Sequence, residues 1–294
     1  MTYTDRMAPL IASLWVFGVV CLLVWVTSLI TREYSWVDRI WSIVPIVYVW
    51  IFAASAGFTD PRLDLMAALV TLWGARLTFN FSRKGGYAPG GEDYRWAVLR
   101  GRMSRPLFQV FNLLFITVYQ NAILLLITLP ALMAFQNRST PFSWLDGALG
   151  AVFLAFLVGE TIADQQQWDF HRAKKAELAA GREPRARFLQ TGLFRVSRHP
   201  NFFFEQAQWW VFFFIGSVAA GTVLQWTVAG PVLLTLLFIG STVFTESISL
   251  SKYPEYADYK KKTSALIPWF PRKTRADAEQ PRPKPEPESL TPVS

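Results

Sequence analysis

Two stretches of this chain run almost without charge for longer than a bilayer is thick. Residues 7–31 carry none, and residues 201–245 carry only Glu205. About 20 apolar residues in a helix cross the hydrocarbon layer, and a buried charge there is costly. A soluble core rarely needs such runs, so the chain reads as an all-α, polytopic membrane protein. With 52% hydrophobic residues, including 13 Trp and 24 Phe, the composition agrees. A cleaved signal peptide fits the first run poorly, because the run is too long and lacks a basic leader and a small-residue cleavage site. The single cysteine, Cys21, lies inside that run and excludes a disulfide scaffold or a cysteine metal centre.

Hydropathy predicts seven spans, near residues 9–30, 40–58, 65–81, 107–135, 144–163, 202–220 and 223–250. The fourth is overlong and holds Pro130, which predicts a kink or tilt near its end. Spans six and seven are joined by a short uncharged turn around Gly221. Basic residues divide 25 to three between the two sides of such a topology, with Arg76 inside span three. The positive-inside rule then puts the N-terminus outside and the C-terminus in the cytoplasm. Of the two membranes that fit, the bacterial inner membrane is expected ahead of the endoplasmic reticulum. Residues 165–180 read as span five continuing out of the bilayer, ended by Gly181 and Pro184. Residues 1–270 form the expected membrane domain. Residues 271–294, rich in Pro, Glu, Lys and Arg, read as a disordered tail.

Ionisable residues at membrane depth are the first functional candidates. Arg76 lies in span three. Glu160 and Asp164, four apart, share a helical face at the end of span five. Glu205 opens span six, and Glu246 sits late in span seven. For each the alternative is a charge reaching out to the headgroups. The arginines at 172, 182, 185, 187, 195 and 198 suit a phosphate-bearing ligand or an anionic lipid surface. No Walker or dinucleotide glycine fingerprint accompanies them, and no nucleic-acid partner is expected. With two histidines, His171 and His199, and no cysteine cluster, no metal site is expected. His199 reads instead as a hydrogen-bond donor to a ligand. The run Glu92-Asp93-Tyr94-Arg95-Trp96 reads as a loop folding back over the cytoplasmic mouth.

G-L-F-R-V-S-R-H-P-N-F-F-F-E at 192–205, with Y-A-D-Y-K-K-K-T-S-A-L-I-P-W at 256–269, resembles the C-terminal half of steroid 5α-reductases. V-D-R-I-W-S (37–42), L-W-G-A-R-L (72–77) and E-D-Y-R-W (92–96) resemble the family's largely uncharacterised bacterial branch, and together these motifs span most of residues 37–270. The resemblance implies a seven-helix membrane oxidoreductase with NADPH entering from the cytosol. Hydride would pass to the β-carbon of an enone in a lipophilic, steroid- or isoprenoid-like substrate, and a proton would follow at the α-carbon. It also implies cofactor contacts at Asp164, Arg187 and Asn201. Arg76, Arg198, His199 and Tyr259 complete the candidate cofactor set.

The chain departs from that pattern. The branch reads N-Y-F-G-E where residues 201–205 are N-F-F-F-E, and the family's Asn one turn before its Asp is Glu160. The ketone-polarising Glu and Tyr of steroid reductases fall near Ile43 and Trp73, so Asp38 or Glu205 is the expected acid. Two other classes stay in view. One is a membrane methyltransferase of the isoprenylcysteine carboxyl methyltransferase type, which shares the R-H-P core and binds S-adenosylmethionine. The other is a non-enzymatic transporter or scaffold, against which the absence of internal repeats weighs.

Overall fold

Apolar runs bounded by Pro, Gly and polar caps become helices throughout. The computed structural model describes residues 3–272, and the tail expected from residue 271 falls, from residue 273 on, outside the described residues. In order the helices are α1 (Tyr3–Thr31), α2 (Trp36–Ile40), α3 (Val44–Ser55), α4 (Pro61–Arg83), α5 (Tyr94–Arg102), α6 (Arg105–Phe111), α7 (Gln120–Leu126), α8 (Pro130–Gln136), α9 (Trp144–Ala179), α10 (Pro200–Ala220), α11 (Ala229–Lys252) and α12 (Tyr256–Lys262). A π-helical stretch, Asn112–Tyr119, joins α6 to α7, and 3-10 turns cover Gly192–Arg195 and Trp226–Val228. Among the described residues the only extended pairing is one parallel bridge between Ser197 and Ser264.

Among the described residues five helical segments are long and apolar enough to cross a membrane: Met7–Thr31, Trp36–Ser55, Arg105–Gln136, Trp144–Ala179 and Trp226–Lys252. Their outward faces make sense only in lipid. Helix α1 exposes Trp15, Val19, Leu22, Leu23 and Ile30 and buries little beyond Ser13, Val24 and Ser28. Of the seven expected spans, α4 and α10 fall short of this standard. The reason is physical: α4 carries Arg62, Asp64, Arg76 and Asn80, and α10 carries Asn201, Glu205, Gln206 and Gln208. Both are nonetheless innermost. Trp73 of α4 and Trp209 of α10 meet edge to face at 4.9 Å, amid Tyr48, Phe52, Met66, Phe153 and Phe212.

The overlong fourth span is interrupted where a kink or tilt is expected. Over residues 127–129 the backbone stays right-handed but tightens to i→i−3 bonds (Thr128 N to Leu125 O at 3.0 Å, Leu129 N to Leu126 O at 3.3 Å), and α8 starts at Pro130, which needs no backbone donor at that position. The π-helical stretch upstream was not foreseen. Helix α9, by contrast, is a single rod of 36 residues, about 54 Å at 1.5 Å per residue, so the expected helical continuation past residue 165 is present and the helix is longer than an apolar layer of about 30 Å. Gly221, at φ +68°, closes α10 in the left-handed conformation and starts the expected hairpin into α11.

Helices α4 and α9 run side by side and in parallel. Arg62 pairs with Asp146, Arg76 with Glu160 and Asn80 with Asp164, at a constant separation of 84 residues. Arg62 and Arg76 are two heptads apart, so both pairs lie on one stripe of the interface. At its far end Arg62 is sealed in. Its Nε and Nη2 donate to Asp146 at 2.6 and 2.9 Å, and Thr140 and Pro141 carbonyls take the remaining bonds at 3.1 and 2.9 Å. Asp146 also closes a capping box with Ser143 at the start of α9.

Candidate functional site

The other end of the α4–α9 stripe holds a buried ionic cluster. Arg76 Nη2 lies 2.5 Å from Glu160 and its Nη1 2.6 Å from Asp164. Asn80 Nδ2 donates to Asp164 at 2.7 Å, and Gln208 Nε2 donates from α10 to Glu160 at 2.7 Å. Lys84 reaches Asp164 at 3.7 Å, and burial pulls its ammonium below the usual lysine range. Glu205, also buried, accepts from Trp41 Nε1 at 3.4 Å. One arginine therefore serves two buried carboxylates, with a third close by. Around this cluster Arg76 Nε, Gln208 Oε1 and Trp73 Nε1 are among the buried atoms without a hydrogen-bond partner in the described residues. Trp209 Nε1, one turn after Glu205, is likewise bare. Buried polar atoms left this way are costly, and each calls for a partner.

The mouth of the cluster is built by the R-H-P-N stretch. The 3-10 turn at Gly192 lies against α9, where Leu193 N donates to Gln166 Oε1 at 2.9 Å. Gly192 has φ +62°, and a Cβ there would meet the Gln166 amide at 2.5 Å, so only glycine fits. Pro200 then starts α10 and presents Asn201, whose side chain makes no hydrogen bond among the described residues. Phe204, where the related pattern has Gly, is accommodated by Gly159 of α9. A Cβ on Gly159 would stand 2.6 Å from its ring.

Arg198, His199 and Tyr259 occupy a second network beside this mouth. Arg198 Nε donates to Glu246 of α11 at 2.6 Å, and Lys260 and His199 reach the same carboxylate at 2.8 and 3.2 Å. Arg198 Nη1 also donates to the carbonyls of Thr263 and, at 3.1 Å, Lys260. The Tyr259 phenol donates to the Phe194 carbonyl, and burial pushes its pKa up, so it keeps the proton. These residues expected on the cofactor hold the C-terminal segment against the start of α10, with their donors taken up inside the protein. Glu246, considered equally as a headgroup charge, is buried at the centre of this network.

Arg187 lies further out, 52% exposed, pairing at 3.3 and 3.4 Å with Glu183 and Glu255. With Arg185, Phe188 and Gln190 it lines an open basin of about 490 Å³. Asp38 stands apart from Glu205. Its Oδ2 accepts from Trp96 Nε1 at 2.8 Å, which ties the 92–96 segment to α2. The expected loop is confined to Glu92 and Asp93, because Tyr94–Trp96 form the first turn of α5 with Asp93 as its cap; Glu92 accepts from Tyr34 N at 2.8 Å, and Asp93 N donates to Ser35 at 2.9 Å. Trp41, one turn after Asp38, is the α2-side residue that reaches Glu205. Asn80, Gln208, Trp41 and Lys84 are cluster members that sequence reasoning missed. For Asn80 and Gln208 the available signal was helical spacing, four residues from Arg76 and three from Glu205.

Among the described residues no group of acidic, histidine or cysteine side chains is arranged to hold a metal ion. No solved structure matches the chain significantly. A curated relative, an uncharacterised protein of Schizosaccharomyces pombe (C594.04c), is 35% identical over 278 residues, covering 88% of this chain and 80% of the relative. Residues 24–263 match the family described as a protein of unknown function, DUF1295, a domain that steroid 5α-reductase-like families carry. Both the ionic cluster and the R-H-P-N stretch lie inside the matched region, and the chain belongs to the DUF1295 family.

Proposed function

We propose that this protein is a membrane oxidoreductase that reduces an activated carbon–carbon double bond of a lipophilic substrate with NADPH. The observation that carries the reading is the buried Arg76–Glu160–Asp164 cluster, with Glu205 and bare indole donors beside it, inside an otherwise apolar helix bundle. Such polar chemistry is expensive in a membrane and is kept where it has work to do. In this reading α4 and α10 also cross the bilayer, their polar residues facing inward, and the basic end of the bundle faces the cytoplasm.

The donor set suits a phosphate-bearing nucleotide. Arg185 and Arg187 are exposed around an open basin, where a phosphate would take the place of Glu183 and Glu255 on the Arg187 guanidinium. Asn201, with both amide functions unbonded, matches a carboxamide. Bound there, NADPH supplies the hydride that goes to the β-carbon of an enone. Glu205, oriented by Trp41, holds the proton that the α-carbon gains, so the reaction adds one hydride and one proton across the double bond. The free indole N–H groups of Trp73 and Trp209 would donate to the substrate carbonyl and polarise it. Arg76 and Asp164 fix the mouth from the α4–α9 side, and the Arg198–Glu246 clamp fixes it from the other. Apolar walls exclude water from the hydride.

Detergent-purified protein titrated with NADPH and, separately, with S-adenosylmethionine tests the proposal. NADPH should bind, and Asn201→Ala and Arg187→Ala should each weaken it about tenfold or more, the loss of one good hydrogen bond or charge contact. Binding of S-adenosylmethionine without NADPH would overturn the reading in favour of a methyltransferase. Binding of neither would favour a transporter or scaffold.

A further inference from the structure

The turn after Thr263 combines rigid backbone with bare apolar side chains. Its backbone is stitched to the R-H-P stretch: Arg198 N donates to Ser264 O at 2.8 Å, His199 N to Ala265 O at 3.1 Å and Trp269 N to Val196 O at 2.9 Å. Ser197 Oγ adds a bond to Leu266 O at 2.7 Å, and Arg272 N returns to Lys262 O at 2.8 Å. Yet Ile267, Trp269 and Phe270 stand 65%, 69% and 83% exposed. A turn held this firmly has little freedom to fold these side chains inward, and water is a poor solvent for three apolar groups side by side. Exposed basic side chains surround it: Arg195, whose carbonyl accepts from Thr263, Arg272 at its end, and Lys261, which shares its charge with Asp258 at 3.0 Å. Depth is fixed by the bond to Val196, which places Trp269 level with a residue four positions before Pro200, where α10 begins and its apolar face follows.

We propose that the Ile267–Phe270 turn is an interfacial wedge, seated among the headgroups and upper acyl chains of the leaflet at the basic end of the bundle, with anionic lipid drawn to Arg195, Lys261 and Arg272. Aromatic side chains favour that layer, and each nearby cation adds attraction to anionic lipid. Because the same backbone bonds hold Ser197–His199, the wedge fixes the height of the segment that leads into Asn201 and Glu205. The inference rests on the proposal that α10 crosses the bilayer, but not on any cofactor.

The test uses the full chain in nanodiscs, with Cys21→Ser removing the native thiol and an environment-sensitive fluorophore on Phe270→Cys or, as a depth control, on Phe214→Cys, which is an outward position of α10. Brominated acyl chains should quench the Phe270→Cys probe by about twofold, with stronger quenching when phosphatidylserine is included. Arg195→Gln combined with Arg272→Gln should remove that anionic enhancement. A Phe270→Cys probe that stays water-exposed, or is shielded from water and lipid alike by a second copy or another part of the chain, overturns the wedge. Enhancement that survives the double substitution overturns its selectivity for anionic lipid. Quenching of Phe270→Cys without quenching of Phe214→Cys removes the spanning role of α10 and overturns the depth assigned to the wedge.

Discussion

The Arg62–Asp146 pair offers the sharpest test of how the site is held in place. Both side chains are almost fully buried, at 1% and 0% exposure, so neither charge can relax into water when its partner is removed. Asp146→Ala leaves a guanidinium with two carbonyl partners and no counter-charge, and also opens the capping box of α9. A broken buried pair costs about 3–5 kcal/mol, and a lost cap about 1 kcal/mol more. Replacing both partners by apolar groups of similar volume, Arg62→Met with Asp146→Leu, removes the charge from the interior altogether. The double variant should therefore be more stable than Asp146→Ala by about 2 kcal/mol or more, although the Thr140 and Pro141 carbonyls lose their donors. Reversible unfolding in mixed micelles by titration with dodecyl sulfate reads these differences. The consequence should reach the other end of the stripe, because Arg76 and Glu160 meet in the register that this pair sets two heptads away. NADPH affinity should fall in Asp146→Ala and recover partly in the double variant. A double variant whose cost equals the sum of the two single substitutions would refute a coupled buried pair.

Three further outcomes follow from the same geometry. Glu246→Gln keeps the shape of the carboxylate but strips the counter-charge from Arg198 and Lys260, and should cost about 2–4 kcal/mol in the same unfolding assay, discounted from a fully buried pair because Lys260 is 34% exposed. Gly216→Ala pushes a methyl group to 2.6 Å from the Pro130 carbonyl, a backbone atom that cannot swing away, and should cost about 1–3 kcal/mol; Gly159→Ala meets only the Phe204 ring and should cost less, with Phe204→Ala relieving it. Glu205→Gln should slow single-turnover reduction of an activated alkene about 100-fold or more with NADPH binding intact, whereas Asp38→Asn, acting through the 92–96 segment, should change binding and stability before turnover.

Much of this arrangement can be read from spacing alone. Asp164 falls four residues after Glu160, and a continuous helix puts both on the face that Arg76 meets. The extension of α9, the break before Pro130 and the turn at Gly221 follow from local chemistry in the same way. What spacing cannot supply is which helix faces which. Arg198 and Tyr259 are as polar and as well placed in sequence as Arg187, yet tertiary contacts commit them to Glu246, Thr263 and Phe194 and leave Arg187 on the surface. Asp38 carries a carboxylate as Glu205 does, but the indole it receives belongs to Trp96, and Glu205 takes Trp41.

Hydropathy is least informative at the helices that matter most here. An average over a helix assumes that polar side chains count against burial, whereas a polar side chain paired across an interior interface is buried because of its partner. Arg76 and Asn80 lower the average of α4, and Glu205 and Gln208 lower that of α10, yet each of these residues is at most 12% exposed. The partners come from α9, α10 and Trp41 just after α2, so the deficit in one helix is the complement of polar groups in its neighbours. The same reasoning explains the substitution at Glu160. A carboxylate in place of an amide adds a buried charge, which is tolerable only where Arg76 can serve two acids and Gln208 can donate to the added one. Glu160→Asn should for that reason leave the fold intact and free Arg76 to bind Asp164 alone. If Glu160→Asn instead unfolds the protein, Glu160 is a structural counter-ion that Arg76 cannot do without, and the cluster is a brace between α4, α9 and α10 before it is a site.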